Sequence, residues 1–201
     1  MTRRQVAVLI SGRGSNMEAL IRAAQAPDYP AEIGLVLSDR REAEGLAKAR
    51  QAGIRAELVD HAGFLSRQAF EAALQDRLDA HRIEFVALAG FMRLLSAGFV
   101  ERWTGRIINI HPSLLPAFKG LDTHRRALEA GVPMHGCTVH HVTSGMDEGP
   151  IIAQAKVPVW VGDTAETLGA RVLAEEHALY PIALARLLRG EAAAGEGEGA
   201  F

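Results

Sequence analysis

Two polar side chains, Asn109 and His111, alternate with isoleucines in a short apolar stretch that ends at Pro112. This alternation predicts a strand from which Asn109 and His111 point to the same face. Pro112 ends the strand because proline has no N–H to donate to a neighbouring strand. An amide can donate to a developing oxyanion, and an imidazole can donate, accept or carry charge near neutral pH. The pair is therefore a candidate catalytic site; the alternative is a strand whose outer face is simply polar.

A candidate carboxylate partner, Asp147, follows further along the chain. It lies in the segment Val142–Pro150, between two apolar stretches that predict strands at 137–142 and 151–157. Glycine and proline in that segment favour a turn. Acidic turn residues are usually solvated, so the pattern alone leaves an exposed turn as the alternative interpretation of Asp147.

A glycine-rich segment, Gly12–Asn16, joins a predicted strand to a predicted helix. Glycines allow the backbone to approach a ligand closely, and the N-terminus of a helix suits a phosphate. Met17 occupies the third glycine position of a dinucleotide-binding motif, so a phosphate monoester is the preferred ligand. Asp39 nevertheless lies where an acid that binds a ribose could be found, which keeps a dehydrogenase open as an alternative. The other alternative is an ordinary tight turn.

Strands alternate with helices through the first half of the chain, which predicts a parallel sheet covered by helices on both faces. Two strands around the Asp147 turn and one long final helix follow, with a break expected near Pro181. The predicted strands span 6–10, 33–37, 56–59, 85–89, 107–110, 137–142 and 151–157, and the predicted helices span 15–24, 43–51, 67–81, 96–103 and 164–188. We expect one domain, residues 1–190, and a disordered, glycine-rich acidic tail, residues 191–201.

The composition argues against several classes of protein. The 201 residues are 48% hydrophobic and carry a net charge of −2, which gives no electrostatic basis for binding nucleic acid or an anionic membrane. No apolar stretch approaches the roughly 20 residues of a membrane span. The single cysteine, Cys137, lies within a predicted strand, should be buried, and fits a reducing cytoplasm. His140 and His141 point to opposite faces of that strand and no other ligand pattern accompanies them, so we expect no metal.

Six strings resemble, in the same order along the chain, the glycinamide ribonucleotide formyltransferases of purine biosynthesis. They are Leu9–Asn16, Leu88–Arg93, Ile108–Pro116, His135–His140, Val142–Pro150 and Glu176–Pro181. The resemblance implies a single-domain, Rossmann-like α/β formyltransferase fold, with a mostly parallel sheet of about seven strands and helices on both faces. It also implies a cytoplasmic enzyme with small-molecule substrates, as a monomer or a homodimer, without a nucleic acid, membrane or metal partner.

By this resemblance the chain would transfer the formyl group of 10-formyltetrahydrofolate, its co-substrate, to the amine of glycinamide ribonucleotide through a tetrahedral intermediate. Asn109, His111 and Asp147 would be catalytic, with Asp147 supporting the charged form of His111 and helping to move the proton. His140 would hold these residues in position without contacting the substrate itself. The ribonucleotide would contact Gly12, Arg13, Gly14, Ser15, Asn16 and Glu176. The folate would contact Arg67, Met92, Arg93, Leu94, Leu95, Asn109, Val142, Thr143 and Asp147, although Leu94 could instead belong to the core.

Three alternatives to this enzyme stay open. Formyltetrahydrofolate hydrolases share the Asn-x-His and Asp elements but usually carry a further domain. Methionyl-tRNA formyltransferases are usually longer and would favour a basic extension that binds tRNA. A non-catalytic nucleotide-binding module would use only the glycine-rich segment. Leu173 stands where some members of the resembled family have a polar substrate contact, which leaves the ribonucleotide contacts open.

Overall fold

The structure is a computed structural model that describes residues 2–191. Within that range the strands are β1 Arg4–Ile10, β2 Ala31–Ser38, β3 Ala56–Leu58, β4 Phe85–Leu88, β5 Ile107–His111, β6 Met134–His141 and β7 Ile151–Pro158. The helices are α1 Ser15–Ala24, α2 Glu44–Gln51, α3 Arg67–Ala80, α4 Ala97–Arg102, α5 Thr123–Glu129 and α6 Ala165–Arg189. A single 3-10 turn covers His61–Gly63.

The seven strands form one sheet in the order β3-β2-β1-β4-β5-β6-β7. Neighbouring strands from β3 to β5 are parallel, whereas β6 and β7 are antiparallel to their neighbours. The predicted mostly parallel α/β sheet is therefore confirmed. Leu9 pairs with Leu88, and Leu88 pairs with Asn109, so β1, β4 and β5 end at the same edge of the sheet. In parallel α/β sheets this carboxyl edge is where ligands bind.

Two apolar cores lie on opposite faces of the sheet. One packs α1, α2 and α6 against it, and the other packs α3 and α4. In β5, Ile108 and Ile110 belong to the first core, and Ile107 belongs to the second. Because side chains alternate along a strand, Asn109 and His111 share the face of Ile107. The alternation read from the sequence is confirmed.

Hydrogen bonds at the helix N-termini fix α3 and α4 beside this face. The hydroxyls of Ser66 and Ser96 accept from the backbone N–H groups of Ala69 and Phe99, at 3.1 and 3.3 Å. Such caps satisfy backbone donors that have no partner within the helix. The carboxylate of Glu71, on α3, also accepts from the backbone N–H of Ser96 at 2.6 Å and from its hydroxyl, which ties α4 to α3.

The structure corrects two expectations about helices. The predicted break near Pro181 is wrong, since α6 continues from Ala165 to Arg189 with Pro181 inside it. Proline removes one helical hydrogen bond, but Tyr180 and Leu184 are buried on either side of it, so packing holds the helix. Helix α5 was not predicted, because seven residues are too few to show a helical period.

Two further expectations concern the C-terminal tail and the absence of a membrane-spanning segment. Most of the predicted tail, from residue 192 onward, lies outside the described residues. None of the helices between residues 2 and 191 combines the length and the apolar character needed to cross a membrane.

Candidate active site

A network of four polar side chains surrounds the end of β5. Asn109 Nδ2 lies 3.2 Å from His140 Nε2, and His111 Nδ1 lies 3.4 Å from Asp147 Oδ2. His140 Nε2 is 3.7 Å from Asp147 Oδ1. The three residues predicted to be catalytic therefore lie together, and His140 contacts both Asn109 and Asp147. The pairing of Asn109 with His140 follows from the antiparallel register of β5 and β6, which places the two residues opposite each other.

Asp147 reaches this network because the loop between β6 and β7 folds back over the end of β5. Its backbone takes a left-handed conformation, with φ of 54°, and its Oδ2 accepts from the backbone N–H of Gly120 at 2.9 Å. An ion pair of 2.9 Å between Lys119 and Glu148 joins the same two loops. The Asp147 side chain is 13% exposed, so the alternative of a solvated acidic turn is wrong.

The ring of His111 is held at both of its nitrogens. Nε2 lies 3.0 Å from the carbonyl oxygen of Phe118, to which it can only donate. Nδ1 faces the Asp147 carboxylate, and the ring is 5% exposed. A ring with protons on both nitrogens satisfies both partners, so the geometry suits an imidazolium beside a carboxylate. Such a group can stabilise an oxyanion that develops next to it.

A cavity of about 370 Å³ opens beside this network. It is lined by Arg67 of α3, by Ala97 and Val100 of α4, and by residues 142–147, in the loop after β6. Of the predicted folate contacts, its walls include Arg67, Arg93, Leu94, Leu95, Asn109, Val142, Thr143 and Asp147.

Two residues of the segment after β4 differ from expectation. Met92 is not among the lining residues, and its side chain is 55% exposed. Leu94 is 63% exposed and lines the cavity, so its alternative assignment to the core is wrong.

The glycine-rich segment lies at the same edge of the sheet but leads into α1, on the opposite face. Gly14 is the N-cap of α1 and has a left-handed φ of 74°. A Cβ at Gly14 would lie 3.0 Å from the Cα of Gly45, so α1 and α2 leave no room there for a side chain. The close packing of α1 against α2 and the left-handed φ therefore both favour glycine at this position. Arg13 is exposed beside it.

Asn16 and Glu176 form a buried pair that joins α1 to α6. Asn16 Nδ2 donates to Glu176 Oε2 at 2.6 Å. Burial raises the pKa of Glu176, while the hydrogen bond from Asn16 lowers it. The Oδ1 atom of Asn16 is buried and has no hydrogen-bond partner within residues 2–191. Glu176 is thus not a solvated helix residue, and the pair can present acceptor oxygens to an amine or an amide.

The dehydrogenase alternative does not agree with the geometry. Asp39, the residue proposed to bind a ribose, is 1% exposed, and its Oδ1 accepts from the hydroxyl of Ser11 at 2.6 Å. Met17 is fully buried in the core, where the dinucleotide motif requires a glycine. Neither position is available for the contacts that such a cofactor makes.

The loop that carries His111 is fixed by residues that the sequence did not identify as part of the site. Thr138, opposite His111 in β6, donates through its hydroxyl to the Ser113 carbonyl at 2.7 Å and accepts from the Leu115 N–H at 3.0 Å. The amide of Gln154, on β7, donates to the Leu115 carbonyl at 2.9 Å. Ser113 and Thr138 lie within strings that carry the resemblance, but no periodicity distinguishes them.

The structure also bears on the expected state of the single cysteine and on possible metal ligands. Cys137 is fully buried, as predicted, and burial raises the pKa of its thiol to about 12, so it stays a neutral thiol. In the part of the chain that the structure describes, no three His, Cys, Asp or Glu side chains are grouped to hold a metal ion.

Comparison with known proteins identifies the family to which the chain belongs. The family called formyl transferase matches residues 4–184. The phosphoribosylglycinamide formyltransferase of Escherichia coli is 47% identical over 89% of this chain and 84% of its own length. The crystal structure of phosphoribosylglycinamide formyltransferase from Brucella melitensis superposes with a TM-score of 0.90 and is 56% identical, over 99% of this chain and 100% of that one.

Larger relatives contain a similar unit. The trifunctional purine biosynthetic protein adenosine-3 of Gallus gallus is 50% identical over 96% of this chain, which corresponds to 19% of that protein. The chain thus spans 14–19% of the length of the trifunctional relatives it matches. The shared fold, the extent of the matches and the identity over nearly the whole chain place it in one family. The chain belongs to the formyl transferase family and, within it, to the phosphoribosylglycinamide formyltransferases.

Proposed function

We propose that this protein transfers the formyl group of 10-formyltetrahydrofolate to the amine of phosphoribosylglycinamide, a step in the synthesis of purine nucleotides. One observation carries the proposal: Asn109, His111 and Asp147 form one network at the wall of a cavity. The cavity would hold the folate, and the glycine-rich segment with Asn16 and Glu176 would hold the ribonucleotide. The family membership supports both assignments.

The reaction would proceed by direct attack of the substrate amine on the formyl carbon. A C–N bond forms, and the formyl oxygen becomes an oxyanion. The amide of Asn109 has two N–H groups, of which one is directed to His140 and the other can donate to this oxyanion. The imidazolium of His111 would supply positive charge on the other side. Donors placed in advance around developing charge are an effective source of catalysis.

Asp147 would act as the proton acceptor in the reaction. The attacking nitrogen must lose a proton after the bond has formed, and the Asp147 carboxylate can accept it directly or through a water molecule. Collapse of the tetrahedral intermediate breaks the bond between the formyl carbon and N10 of the folate, and a proton returns to N10. One proton leaves the attacking nitrogen and one reaches the leaving nitrogen, so the step balances without a covalent enzyme intermediate.

A single assay tests the proposal. The purified protein is given 10-formyltetrahydrofolate with and without phosphoribosylglycinamide, and tetrahydrofolate and the formylated ribonucleotide are both measured. We expect both products to form in equal amounts, and only when the ribonucleotide is present. Tetrahydrofolate that appears without the ribonucleotide would instead identify a hydrolase. Binding of either compound without turnover would indicate a non-catalytic module.

A further inference from the structure

Ser11 directly precedes the glycine-rich segment, yet its hydrogen bonds lead to a different loop. Its backbone N–H donates to the carbonyl of Gly90 at 3.1 Å. Its hydroxyl oxygen accepts from the backbone N–H of Met92 at 2.8 Å and donates to Asp39 Oδ1 at 2.6 Å. Ser11 is therefore bonded to the segment after β4, residues 90–95, whose later members line the large cavity.

Asp39 determines the direction of this chain of hydrogen bonds. An ionised carboxylate can only accept, so the single proton of the Ser11 hydroxyl points to Asp39. The lone pairs of that hydroxyl are then free to accept from Met92. Asp39 is 1% exposed, and its backbone carbonyl accepts from the N–H of His61 at 3.2 Å and lies 2.8 Å from His61 Nδ1. These bonds hold the backbone of Asp39, and its carboxylate is held through Oδ1 by Ser11, while Oδ2 lies 3.5 Å from His61 Nδ1.

The bond to Met92 fixes the backbone between Phe91, which is buried in the second core, and Arg93, which belongs to the cavity wall. The Met92 side chain is 55% exposed, so it adds little packing that could hold the segment. Arg93, Leu94 and Leu95 follow directly and form part of the cavity wall. A shift of the Met92 peptide would move this wall, whereas the turn at Gly14 is fixed separately by its contact with Gly45.

We propose that Ser11 and Asp39 are positioning residues for the formyl donor. They hold the segment 90–95 in the shape that the donor requires, although Ser11 adjoins in sequence the glycine-rich segment assigned to the ribonucleotide. This inference rests on the proposed function in one respect, that the cavity binds the formyl folate. It goes further because it assigns different roles to two serines four positions apart: Ser11 would position the folate site, and Ser15 would contact the ribonucleotide.

The test compares Ser11→Ala with the matched variant Ser15→Ala. The Kd for 10-formyltetrahydrofolate is measured by titration calorimetry without the ribonucleotide, and KM for both substrates and kcat are measured at steady state. We expect Ser11→Ala to raise the Kd and KM for the folate about tenfold, with kcat within about threefold of the parent and the KM for the ribonucleotide nearly unchanged. Ser15→Ala should show the opposite pattern, a raised KM for the ribonucleotide and an unchanged Kd for the folate.

A second pair of variants separates positioning from a general loss of stability. Asp39→Asn keeps an oxygen that can accept from Ser11, so its affinity for the folate should stay close to that of the parent. Asp39→Ala removes that acceptor, leaves the Ser11 hydroxyl without a fixed direction, and should weaken folate binding. If Ser11→Ala does not fold, this pair makes the same comparison.

Several outcomes would overturn the inference. An unchanged folate Kd in a folded Ser11→Ala, equal weakening of both substrates, or equal effects of Asp39→Asn and Asp39→Ala would each do so. A parent protein that binds the folate but shows no transfer dependent on the ribonucleotide would refute the proposed function, and the folate Kd values would still decide the role of Ser11.

Discussion

Asn109 and His140 face each other across the only antiparallel boundary that β5 forms, with Nδ2 of the amide 3.2 Å from Nε2 of the ring. His140 Nδ1 lies 2.9 Å from the carbonyl oxygen of His141, to which it donates. In the neutral ring Nε2 is then an acceptor, and the amide of Asn109 donates to it. Burial lowers the pKa of His140, which favours this neutral form despite the opposing effects of the His141 carbonyl and Asp147.

The first prediction concerns this contact. His140→Leu removes the acceptor, so the Asn109 amide loses its fixed orientation, and we expect kcat to fall by about ten- to a hundredfold with smaller changes in both KM values. His140→Gln can supply an acceptor and should retain more activity. The measurement is the steady-state rate of both variants, with His141→Gln as the matched control on the other side of the strand. Equal rates in His140→Leu and the parent would remove His140 from the mechanism.

The second prediction treats His111 and Asp147 as one unit. His111→Ala removes the imidazolium, and Asp147→Asn removes the charge that pairs with it, so each should lower kcat by about 10²–10⁴-fold. The double variant should be little worse than the worse single variant, because either change already disables the pair. Folding should survive, since both residues lie at loop ends. A double-mutant cycle on kcat decides the matter, and simply multiplicative losses would show that the two residues act independently.

The third prediction compares two glycines of the same segment. Gly14→Ala forces a left-handed φ of 74° on alanine and places Cβ 3.0 Å from the Cα of Gly45. The conformational cost alone is roughly 1–2 kcal/mol, so the free energy of unfolding should fall by at least about that amount. At Gly12 no heavy atom lies within 4 Å of the added Cβ, and Gly12→Ala should leave the free energy of unfolding nearly unchanged. Denaturation of both variants in urea provides the comparison; equal stabilities would contradict it.

The fourth prediction links stability to pH through His135. Burial, followed by the charge of His124, lowers the pKa of His135 from 6.5 to about 4. The folded protein therefore prefers the neutral ring. This contribution to stability is complete above a pH of about 6.5 and is lost as the pH falls from there toward about 4. We expect acid to remove roughly 1–3 kcal/mol of the free energy of unfolding through this residue.

The test of this pH dependence uses two histidine variants. His135→Gln has no ring to protonate, so its free energy of unfolding should fall less steeply in acid than that of the parent. The matched control is His81→Gln, which removes a partly exposed ring 2.9 Å from the Glu57 carboxylate and should keep the acid sensitivity of the parent. Unfolding in urea is measured from about pH 7 to about pH 4. An unchanged slope in His135→Gln would show that the loss of stability arises elsewhere.

Periodicity was sufficient to predict the strands of the sheet and the shared face of Asn109 and His111, whereas Asp147 was identified through the family resemblance. The alternation around Asn109 and His111 requires only that neighbouring strand residues face opposite ways, and the structure confirms it. Helix α1 spans Ser15–Ala24, the range predicted for it, with Gly14 as its N-cap and no side-chain capping bond. These features are local, so a short window of sequence contains the information that determines them.

Features that depend on distant partners could not be predicted in the same way. Nothing near Pro181 in the sequence shows that packing of α6 will maintain the helix through it. Leu94 is apolar and follows a buried strand, yet it lines a cavity whose walls include α3 and the loop after β6, both distant from it in sequence. The contacts of Thr138 with Ser113 and Leu115 join residues more than twenty positions apart, and no local pattern identifies them.

The two candidate subsites lie on opposite faces of one sheet, with α1 and α6 on one side and α3 and α4 on the other. A sheet is a single layer of backbone, so two compounds bound on its two faces can meet end to end at its edge without sharing an entrance. Each can then arrive and leave by its own route. We therefore expect no compulsory order of binding, and a spent folate should be exchanged for a fresh one while the ribonucleotide stays bound.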